Sequence, residues 1–379
     1  MQAKIIFRTI LVLFASALAS TPLLADETLT QTKEERIATD GVDSVLFLNL
    51  AGEVTLGRAS GDEMTVKVTL SATGDDEDEA REYLGLLDVS VERDGDRVRV
   101  TGIYPVEDYS RFAYRREGGG WGYNTTTRYL DERVQVSSRS GLAVHMDFDV
   151  AVPDGVRVRF ENKVGGITAT GVNGDLDLDT SSGSIDVRGG EGYTVADTGS
   201  GAVDIRERKG EVRADTGSGS VEVSDVEGDV HADTGSGGIE LARIVGNIVA
   251  DTGSGGVDLE DIKGDIVVDT GSGSVDGVRL ADVRSLEVDT GSGSVELDGD
   301  FSALERMRID TGSGGVRIRT EGTLNMHLEV SAGSGGVNVD LPEMKNVQSR
   351  RGDFEADIGD GEGDGVIDTG SGGVRISNR

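Results

Sequence analysis

The sequence contains no cysteine among its 379 residues. Disulfide bonds, cysteine-ligated zinc, a thiol nucleophile and a lipidated cysteine are therefore excluded. Proline is also scarce, with 4 residues, and Pro342 is the only one after residue 162. Because proline cannot donate a backbone hydrogen bond to a β-ladder, this scarcity favours uninterrupted strand pairing over the C-terminal half.

Long hydrophobic runs are missing as well. The apolar run at residues 10–18 follows Lys4 and Arg8, and it is shorter than the ~20 residues that a membrane-spanning helix needs. Small residues offer cleavage after Ala19 or after Ala25, so residues 1–25 are predicted to be a secretory signal peptide; an uncleaved anchor helix is the alternative. We therefore expect an exported protein, in the periplasm or at the cell surface, without a membrane span after cleavage.

Basic residues are few relative to acidic ones. Asp and Glu number 70 against 37 Lys and Arg, which gives a formal net charge of −33. Such a surface repels nucleic acid and anionic lipid and attracts cations and basic partners. A nucleic-acid partner is therefore not expected.

A short string, Asp-Thr-Gly-Ser-Gly, recurs along the C-terminal half. The interval is 18 residues from a near-copy at Asp179 (DTSSG) to Asp269, and later intervals are slightly longer. A further near-copy begins at Ser331 (SAGSG), and residues 162–166 look like a degenerate first copy. The full copies begin at Asp197, Asp215, Asp233, Asp251, Asp269, Asp289, Asp310 and Asp368. A fixed period this short indicates a solenoid, because one repeat cannot enclose a core alone.

Within one repeat, apolar and polar residues alternate. Val221 and Val223 flank Glu222, and Val230 and Ala232 flank His231, which is the pattern of strands with one buried face. Aliphatic residues recur at these positions in later repeats. The sequence therefore predicts an all-β protein whose residues 151–379 form a parallel β-solenoid, a single-stranded β-helix of about 18-residue coils.

Each repeated string is predicted to form a corner between strands. Its aspartate would close an Asx-turn and face solvent, its threonine would face inward, and its glycines would permit positive φ and close packing of stacked backbones. Stacking places like charges ~4.8 Å apart, in a column that comprises Asp179, Asp197, Asp215, Asp233, Asp251, Asp269, Asp289 and Asp310. Diffuse counterions are favoured over structural calcium, because the nonapeptide pattern of calcium-binding β-rolls is absent. No cofactor and no metal site are predicted.

Residues 26–150 show shorter and less regular strand patterns. We interpret them as a β-rich cap that covers the open first coil, since solenoids need capped ends. An insertion at residues 104–133 contains the only tryptophan, and it is either a loop packed on the cap or a binding loop. A second insertion, residues 341–365, interrupts the solenoid before its last coil. The predicted binding residues are Tyr109, Phe112, Tyr114, Arg115, Trp121 and Tyr123.

The Asp-Thr-Gly-Ser string also occurs in aspartic proteases, which bring two carboxylates together to share one proton. Here a turn requirement accounts for all eight copies, whereas catalysis accounts for two at most. A nucleophile elbow, a phosphate loop and a paired set of catalytic carboxylates are absent from the sequence. The protein is therefore predicted not to be an enzyme.

The repeat DTGSGSVEV at residues 215–223, followed by GDV, resembles a bacterial family of β-strand-repeat proteins named as predicted adhesins, of the domain of unknown function 4097 type. Residues 150–156 (VAVPDGV), which lead into GGI, and residues 367–376 (IDTGSGGVRI) are similar to the same family. The resemblance covers residues 40–379. It implies a β-helical fold, an envelope or surface location and an adhesive role, without catalytic residues. The insertion at 104–133 departs from the simplest members.

Three functions remain to be compared. The first is a cell-envelope binding or structural protein that presents repeated acidic faces and an aromatic loop to a surface macromolecule, either protein or glycan. The second is a scaffold subunit that polymerises end to end. The predicted N-terminal cap argues against this function, because it blocks one stacking face. The third is a polysaccharide-acting β-helix enzyme. The coils argue against this function, because they are too short and too regular for protruding catalytic loops. The first is the predicted function.

Overall fold

The computed structural model describes residues 3–4, 8–9, 26–115 and 123–379. The chain divides into two compact units, Met1–Ser200 and Gly201–Arg379. Apart from α1 (Glu77–Leu84), every element among the described residues is a β-strand, so the all-β prediction is confirmed. No helix in these residues is long and apolar enough to cross a membrane.

The described residues of the first unit form seventeen strands. In chain order they are β1 (Ala3–Lys4), β2 (Arg8–Thr9), β3 (Glu27–Ala38), β4 (Ser44–Ala51), β5 (Val54–Arg58), β6 (Glu63–Gly74), β7 (Asp88–Asp94), β8 (Arg97–Ile103), β9 (Arg111–Ala113), β10 (Asn124–Tyr129), β11 (Glu132–Ser137), β12 (Leu142–Val152), β13 (Arg157–Val164), β14 (Ile167–Thr170), β15 (Leu176–Ser182), β16 (Ile185–Arg188) and β17 (Thr194–Thr198).

The second unit begins with β18. Its strands are β18 (Val203–Arg206), β19 (Val212–Thr216), β20 (Val221–Glu227), β21 (Val230–Thr234), β22 (Ile239–Val245), β23 (Ile248–Thr252), β24 (Val257–Lys263), β25 (Ile266–Thr270), β26 (Val275–Leu280), β27 (Ser285–Thr290), β28 (Val295–Asp300), β29 (Arg306–Thr311), β30 (Val316–Glu321), β31 (Met326–Ala332), β32 (Val337–Asp340), β33 (Met344–Arg350), β34 (Asp353–Ile358), β35 (Gly363–Thr369) and β36 (Val374–Asn378).

Each coil of the second unit supplies one strand to each of two parallel ladders. In one ladder Val230 pairs with Ile248 and then with Ile266. In the other, Val221 pairs with Ile239 and then with Val257. All of these side chains are buried, because alternation turns every second residue inward. The parallel β-solenoid prediction is confirmed, with two strands per coil.

The Gly-Asp corner of the repeat also links neighbouring coils. Oδ1 of Asp229 accepts a hydrogen bond from the backbone N–H of Asn247 at 2.8 Å, and Oδ1 of Asn247 accepts one from Asp265 at 3.0 Å. Glycines at this corner, such as Gly246 (φ +157°) and Gly264 (φ +144°), have positive φ. A side-chain acceptor here satisfies an amide of the next coil, which explains the recurrent Asp or Asn.

Successive coils of the second unit carry, at the same position, a residue other than glycine with a left-handed backbone conformation. Asp225, Arg243, Asp261 and Arg279 have φ between 54° and 57°, which is costly for residues other than glycine. The charges alternate, and Arg243 donates to both carboxylate oxygens of Asp225 at 2.7 and 2.8 Å. Arg279 likewise donates to Asp261 at 2.6 and 3.1 Å. Bidentate pairing offsets part of the backbone strain.

One interior position of the second unit breaks the aliphatic pattern. Arg208 lies 18 residues before Val226 and 36 before Ile244, and it occupies the same place in its coil. Its side chain is fully buried, as are those of Val226 and Ile244. A buried charged residue at this position departs from the aliphatic pattern of the neighbouring coils.

The last coil in the chain is not the last coil in space. β35 pairs in parallel with β29 on one side and with β31 on the other. β36 lies in the same way between β30 and β32. The prediction that coils stack in chain order is therefore wrong at this end. The second insertion carries a hairpin, β33–β34, which pairs antiparallel with the outer edge of β31.

Because β35 already pairs with β29, we predict that residues 326–362 can be removed without unfolding the second unit. Met326 and Gly363 occupy the same strand position in adjacent coils, so joining Asn325 to Gly363 restores an ordinary step between neighbours. We expect the shortened chain to unfold cooperatively in a urea titration monitored by circular dichroism, with a lower midpoint because the capping hairpin is gone. As a control, deleting 326–379 also removes β35 and β36, which pair directly with β29 and β30, and should lower the midpoint much further. Equal behaviour of the two deletions would contradict the observed stacking order.

The predicted cap supplies a complete coil to the first unit. β4 and β5 pair in parallel with β13 and β14, so residues 44–58 stack on the coil of residues 157–170. On the other side, β4 pairs with β8 and β5 with β12. Antiparallel strands then extend both ladders, through β7 beside β8 and through β6 and β3 beside β12. The coil pattern is therefore present well before residue 151.

Buried asparagines hold the corner of this early coil. Nδ2 of Asn49 donates to Oδ1 of Asn162 at 3.0 Å, and Nδ2 of Asn162 donates to the carbonyl of Gly52 at 2.9 Å. Asn162 pairs in register with Thr180. The degenerate first copy of the repeat was predicted to begin at residue 162. In the structure it begins one residue earlier, at Glu161, which pairs with Asp179.

Candidate functional site

The corner column lies on the surface, as the alternation predicts. Asp215 pairs with Asp233, Asp233 with Asp251 and Asp251 with Asp269. The column continues through Asp289, Asp310 and Asp368, and Asp179 pairs with Asp197 within the first unit. These side chains are exposed or half-buried, whereas the adjoining threonines are buried.

Threonine closes the corners of successive coils in the second unit. Oγ1 of Thr234 donates to the carbonyl of Gly219 in the preceding coil at 2.8 Å and accepts from the N–H of Gly237 at 3.0 Å. The same pair of bonds recurs at the following threonines, Thr252, Thr270 and Thr290. Among the described residues, Asp215 and Asp233 make no side-chain hydrogen bond, so the predicted Asx-turn is wrong there.

The glycines of the corner are required by space. A Cβ on Gly237 would lie 1.7 Å from the carbonyl oxygen of Gly219, and a Cβ on Gly235 would lie 2.5 Å from that of Gly217. Neither Gly235 nor Gly237 has a positive φ. The predicted crowding of stacked backbones is confirmed, and the predicted positive φ is wrong at these positions.

The pKa of Asp233 is raised above its ordinary value. Partial loss of hydration is the larger cause, and repulsion by Asp215 adds to it. A carboxyl with a raised pKa in the folded state destabilises the fold above that pKa, and the penalty disappears below the unfolded-state value of about 3.9. Asp225 shows the opposite shift, since its hydrogen bond with Arg243 lowers its pKa.

We expect Asp233→Asn to stabilise the second unit near pH 7, by less than about 1 kcal/mol because the side chain is exposed. The gain should vanish near pH 3, where the Asp233 carboxyl is protonated in both the folded and the unfolded state. Asp225→Asn is the matched control and should lower stability at pH 7, because it removes a favourable pair. Urea midpoints measured from pH 3 to pH 8 check both signs. A gain for Asp233→Asn that persists at pH 3 would exclude charge repulsion as its cause.

Among the described residues, no group of three or more histidine or acidic side chains is arranged to hold a metal ion. The preference for diffuse counterions over structural calcium stays a prediction.

The predicted aromatic binding residues fall into different environments. Phe112 is fully buried and packs edge-on against Tyr104, with ring centroids 6.0 Å apart. Tyr109 is exposed over 37% of its surface. Tyr123 is half-buried, and its hydroxyl donates to the carbonyl of Tyr114 at 2.5 Å. Trp121 lies outside the described residues. Part of the insertion is therefore core, and its role in binding stays a prediction.

Tyr114 and Arg115 line a cleft of about 820 Å³ in the first unit. The cleft is bordered by strands β3, β6, β9 and β12 and by helix α1. Its charged and aromatic lining residues are Asp26, Glu53, Asp75, Glu79, Tyr83, Tyr114, Arg115, Arg139, His145 and Asp147. The volume lies within the ~300–1,000 Å³ that is typical of ligand sites.

Hydrogen bonds fix the floor of the cleft. The hydroxyl of Tyr114 donates to Oε1 of Glu53 at 2.8 Å, and Oε2 of Glu53 accepts from the N–H of Gly166 at 3.0 Å. Oδ1 of Asp147 accepts from the N–H of Glu53 at 2.8 Å. The imidazole of His145 lies 5.1 Å from the Tyr114 ring, and its Nε2 is 3.7 Å from Oδ2 of Asp147. These contacts orient both carboxylates.

Both tyrosines of the cleft are held in the protonated form. Burial and the neighbouring Glu53 raise the pKa of Tyr114 far above its ordinary value. A hydrogen bond to Glu79 at 2.5 Å raises the pKa of Tyr83 to about 12. Their hydroxyls therefore act as hydrogen-bond donors near neutral pH.

Sequence reasoning found Tyr114 and Arg115 but missed Glu53, His145 and Asp147. A signal was present for the last two, because His145 and Asp147 alternate with buried Val144 and Met146 and must share the outer face of β12. Glu53 follows Gly52 in a corner of the early coil, and that coil was not recognised.

Comparison with known proteins places the repeats in a family. A family model described as Toastrack DUF4097 matches residues 227–378, from the end of β20 into β36. A solved structure titled as that of “a putative cell adhesion protein from Clostridium sporogenes” is similar at 10% sequence identity, covering 92% of this chain and 100% of that chain, with a TM-score of 0.18. No curated protein matches the chain. The predicted resemblance to the family of the domain of unknown function 4097 type is thus confirmed over residues 227–378, which match the Toastrack DUF4097 family model.

Proposed function

We propose that this chain is an exported cell-envelope protein that binds a surface macromolecule, either protein or glycan, without catalysing a reaction. The cleft of the first unit carries this proposal, because charged groups from separate segments of the chain converge there on a floor fixed by hydrogen bonds. Residues 227–378 match the Toastrack DUF4097 family, and the adhesive role that this resemblance implies supports a binding function. The acidic coils would keep the protein soluble and repel nucleic acid.

The contacts in the cleft support binding rather than catalysis. Glu53 and Asp147 each accept a hydrogen bond from a backbone amide, which suits carboxylates that hold structure. Tyr114 keeps its proton at neutral pH, so it is a poor general base. A polysaccharide-acting enzyme would instead release product, and incubation with envelope polysaccharides followed by reducing-end analysis tests that reading.

The end of the second unit bears on the polymer alternative. The outer edge of β31 is paired with β34, and the outermost strand β33 is bulged and carries exposed Lys345 and Arg350. Such features discourage strand addition at a sheet edge. Light scattering over a range of concentrations separates the two functions. Filaments whose mass grows with concentration would favour the polymer.

Charge reversal at the cleft tests the binding role. Deleting the 104–133 insertion would remove the buried rings of Tyr104, Phe112 and Tyr129, so substitutions are cleaner. We expect Arg115→Glu with Arg139→Glu to reduce capture of envelope material by roughly tenfold. Arg128→Glu with Arg133→Glu, on exposed positions outside the cleft, should leave capture unchanged. Equal capture by wild type and both variants would refute the proposal.

Export is tested separately by the mass of the mature protein. Cleavage after Ala19 or after Ala25 would leave a chain that starts at residue 20 or 26. A full-length chain recovered from the envelope fraction would instead indicate an uncleaved anchor.

A further inference from the structure

The hairpin β33–β34 closes one sheet edge at the end of the second unit. β34 pairs antiparallel with β31, and β33 pairs with β34. Three inward side chains of β34, those of Phe354, Ala356 and Ile358, are buried, and they pair in register with inward residues of β31. Residues 345–350 of β33 are exposed. The hairpin is therefore held to the coil through β34.

His327 faces this hairpin from the outer side of β31. It pairs in register with Asp357 of β34 and with Asp364 of β35. Its Nδ1 lies 2.7 Å from Oδ1 of Asp357. Its Nε2 lies 3.5 Å from Oε1 of Glu329 and 3.9 Å from Oε1 of Glu355. Both ring nitrogens therefore face carboxylate oxygens.

This arrangement suits an imidazolium rather than a neutral ring. A neutral imidazole has one donor and one acceptor, whereas the protonated ring donates from both nitrogens. With carboxylates on both sides, the neutral ring turns one lone pair towards a carboxylate oxygen, and protonation removes that repulsion. The hydrogen bond with Asp357 is the main cause that raises the pKa of His327, and Glu329 adds to it.

Basic groups lie one strand farther from the imidazole. Arg306 of β29 pairs with Asp364, and Lys345 of β33 pairs with Asp357. Nδ2 of Asn346 donates to Oδ2 of Asp357 at 2.6 Å, and this bond, together with the imidazole, lowers the pKa of Asp357. A carboxylate therefore separates each basic group from the imidazole, and acidic side chains are its nearest charged neighbours.

The charged contacts of the hairpin depend on this one histidine. Among the described residues, the ion pairs that join the hairpin to the rest of the second unit are those of Glu355 and Asp357, and both are made with His327. The buried side chains of β34 do not titrate. The part of the attachment that varies with pH near neutrality therefore rests on a single imidazole.

We propose that the hairpin β33–β34 is a pH-dependent latch, in which protonated His327 clamps β34 to β31 through Asp357 and Glu355. Loss of that proton loosens the hairpin and uncovers the outer edge of β31. The latch goes beyond the binding function proposed for the first unit and does not depend on it.

The pH range of the latch follows from the two shifted groups. A histidine with a raised pKa in the folded state stabilises the fold fully below its unfolded value of about 6.5, and this contribution is lost as the pH rises through the folded-state pKa. The lowered pKa of Asp357 contributes stability above about 3.9, which is lost as the pH falls through the folded-state pKa. The hairpin should be held most tightly between about pH 4 and pH 6.5.

Hydrogen exchange of the full chain tests the latch, with protection factors corrected for the intrinsic pH dependence of exchange. We expect protection of residues 353–358 to fall about three- to fivefold between pH 6 and pH 8.5, since a partly exposed ion pair contributes no more than this. Strand β22 of the same unit, which does not pair with the hairpin, is the internal reference and should show no such step.

Variants separate the charge of His327 from its shape. His327→Gln should give low protection at both pH values. His327→Arg keeps a cation at both, so it should give high protection at both, which a merely structural role of the ring would not produce. His231→Gln is the matched control, because His231 stands on an exposed position of β21, and this variant should retain the wild-type step.

Three results would overturn the latch. The first is wild-type protection of the hairpin that does not change between pH 6 and pH 8.5. The second is a full step in His327→Gln. The third is low protection of His327→Arg at both pH values, which would leave the ring a packing role only. The capture experiment on the cleft variants is unaffected by any of these results, so the proposed function is tested separately.

Discussion

Ile239→Asp is expected to abolish cooperative folding of the second unit at pH 7. Ile239 is 1% exposed and pairs in register with Val221 below and Val257 above. A carboxylate at this position would meet aliphatic side chains on both sides and no donor. Burying an unpaired charge is costly, and we expect a loss of more than about 4 kcal/mol.

The neighbouring residue provides the control. Glu240 is exposed and stands in an outward column with Glu222 and Asp258, so Glu240→Gln should leave the urea midpoint unchanged or slightly higher. Lowering the pH protonates the introduced carboxyl and should recover part of the stability of Ile239→Asp. If Ile239→Asp unfolds at the wild-type midpoint, the inward assignment of this ladder is wrong.

Much of the second unit could be predicted because one period repeats. Alternation fixed the facing of Val221, Ile239 and Asp233, and register followed from the repeat length itself. Because equivalent residues of neighbouring coils pair in register, the inward face assigned to one coil must agree with that of the next. A pattern supported by several copies leaves little freedom for the inward face.

The sequence did not predict the features in which a coil departs from chain order or from the residue pattern of the other coils. A local pattern cannot say that β35 inserts between β29 and β31, because the choice between two neighbouring coils depends on contacts far apart in the chain. Periodicity assigns Arg208 to an inward position, 18 residues before Val226, but it does not predict that a charged side chain is buried there. The coil of β4 and β5 was missed because asparagine replaces threonine at its corner.

The cleft shows the same limit for function. Its carboxylates and guanidinium groups come from separate parts of the chain. These are the residue before β3, the early coil, the start of α1, the segment that follows β9, the turn before β12, and β12 itself. No spacing in the sequence brings Asp26 near Arg139. Aromatic content directed attention to the right insertion, yet buried Phe112 and Tyr114 show that much of this content serves packing.

Gly237→Ala is expected to destabilise the second unit strongly although it adds only one methyl group. The new Cβ would lie 1.7 Å from the carbonyl oxygen of Gly219, and that oxygen already accepts the hydroxyl of Thr234 at 2.8 Å. The clash is with backbone, so relief requires the two coils to separate at this corner. We expect a loss of roughly 3 kcal/mol, at the upper end for overpacking.

The adjacent glycine distinguishes this cause from the ordinary effect of replacing glycine. A Cβ on Gly238 would have the oxygen of Gly256 as its nearest neighbour, at 3.6 Å, which is normal contact. Gly238→Ala should therefore leave the urea midpoint unchanged or raise it slightly, because alanine restricts the unfolded chain more than glycine does. Comparable losses for the two variants would show that conformational freedom, and not the approach of stacked backbones, explains glycine in this corner.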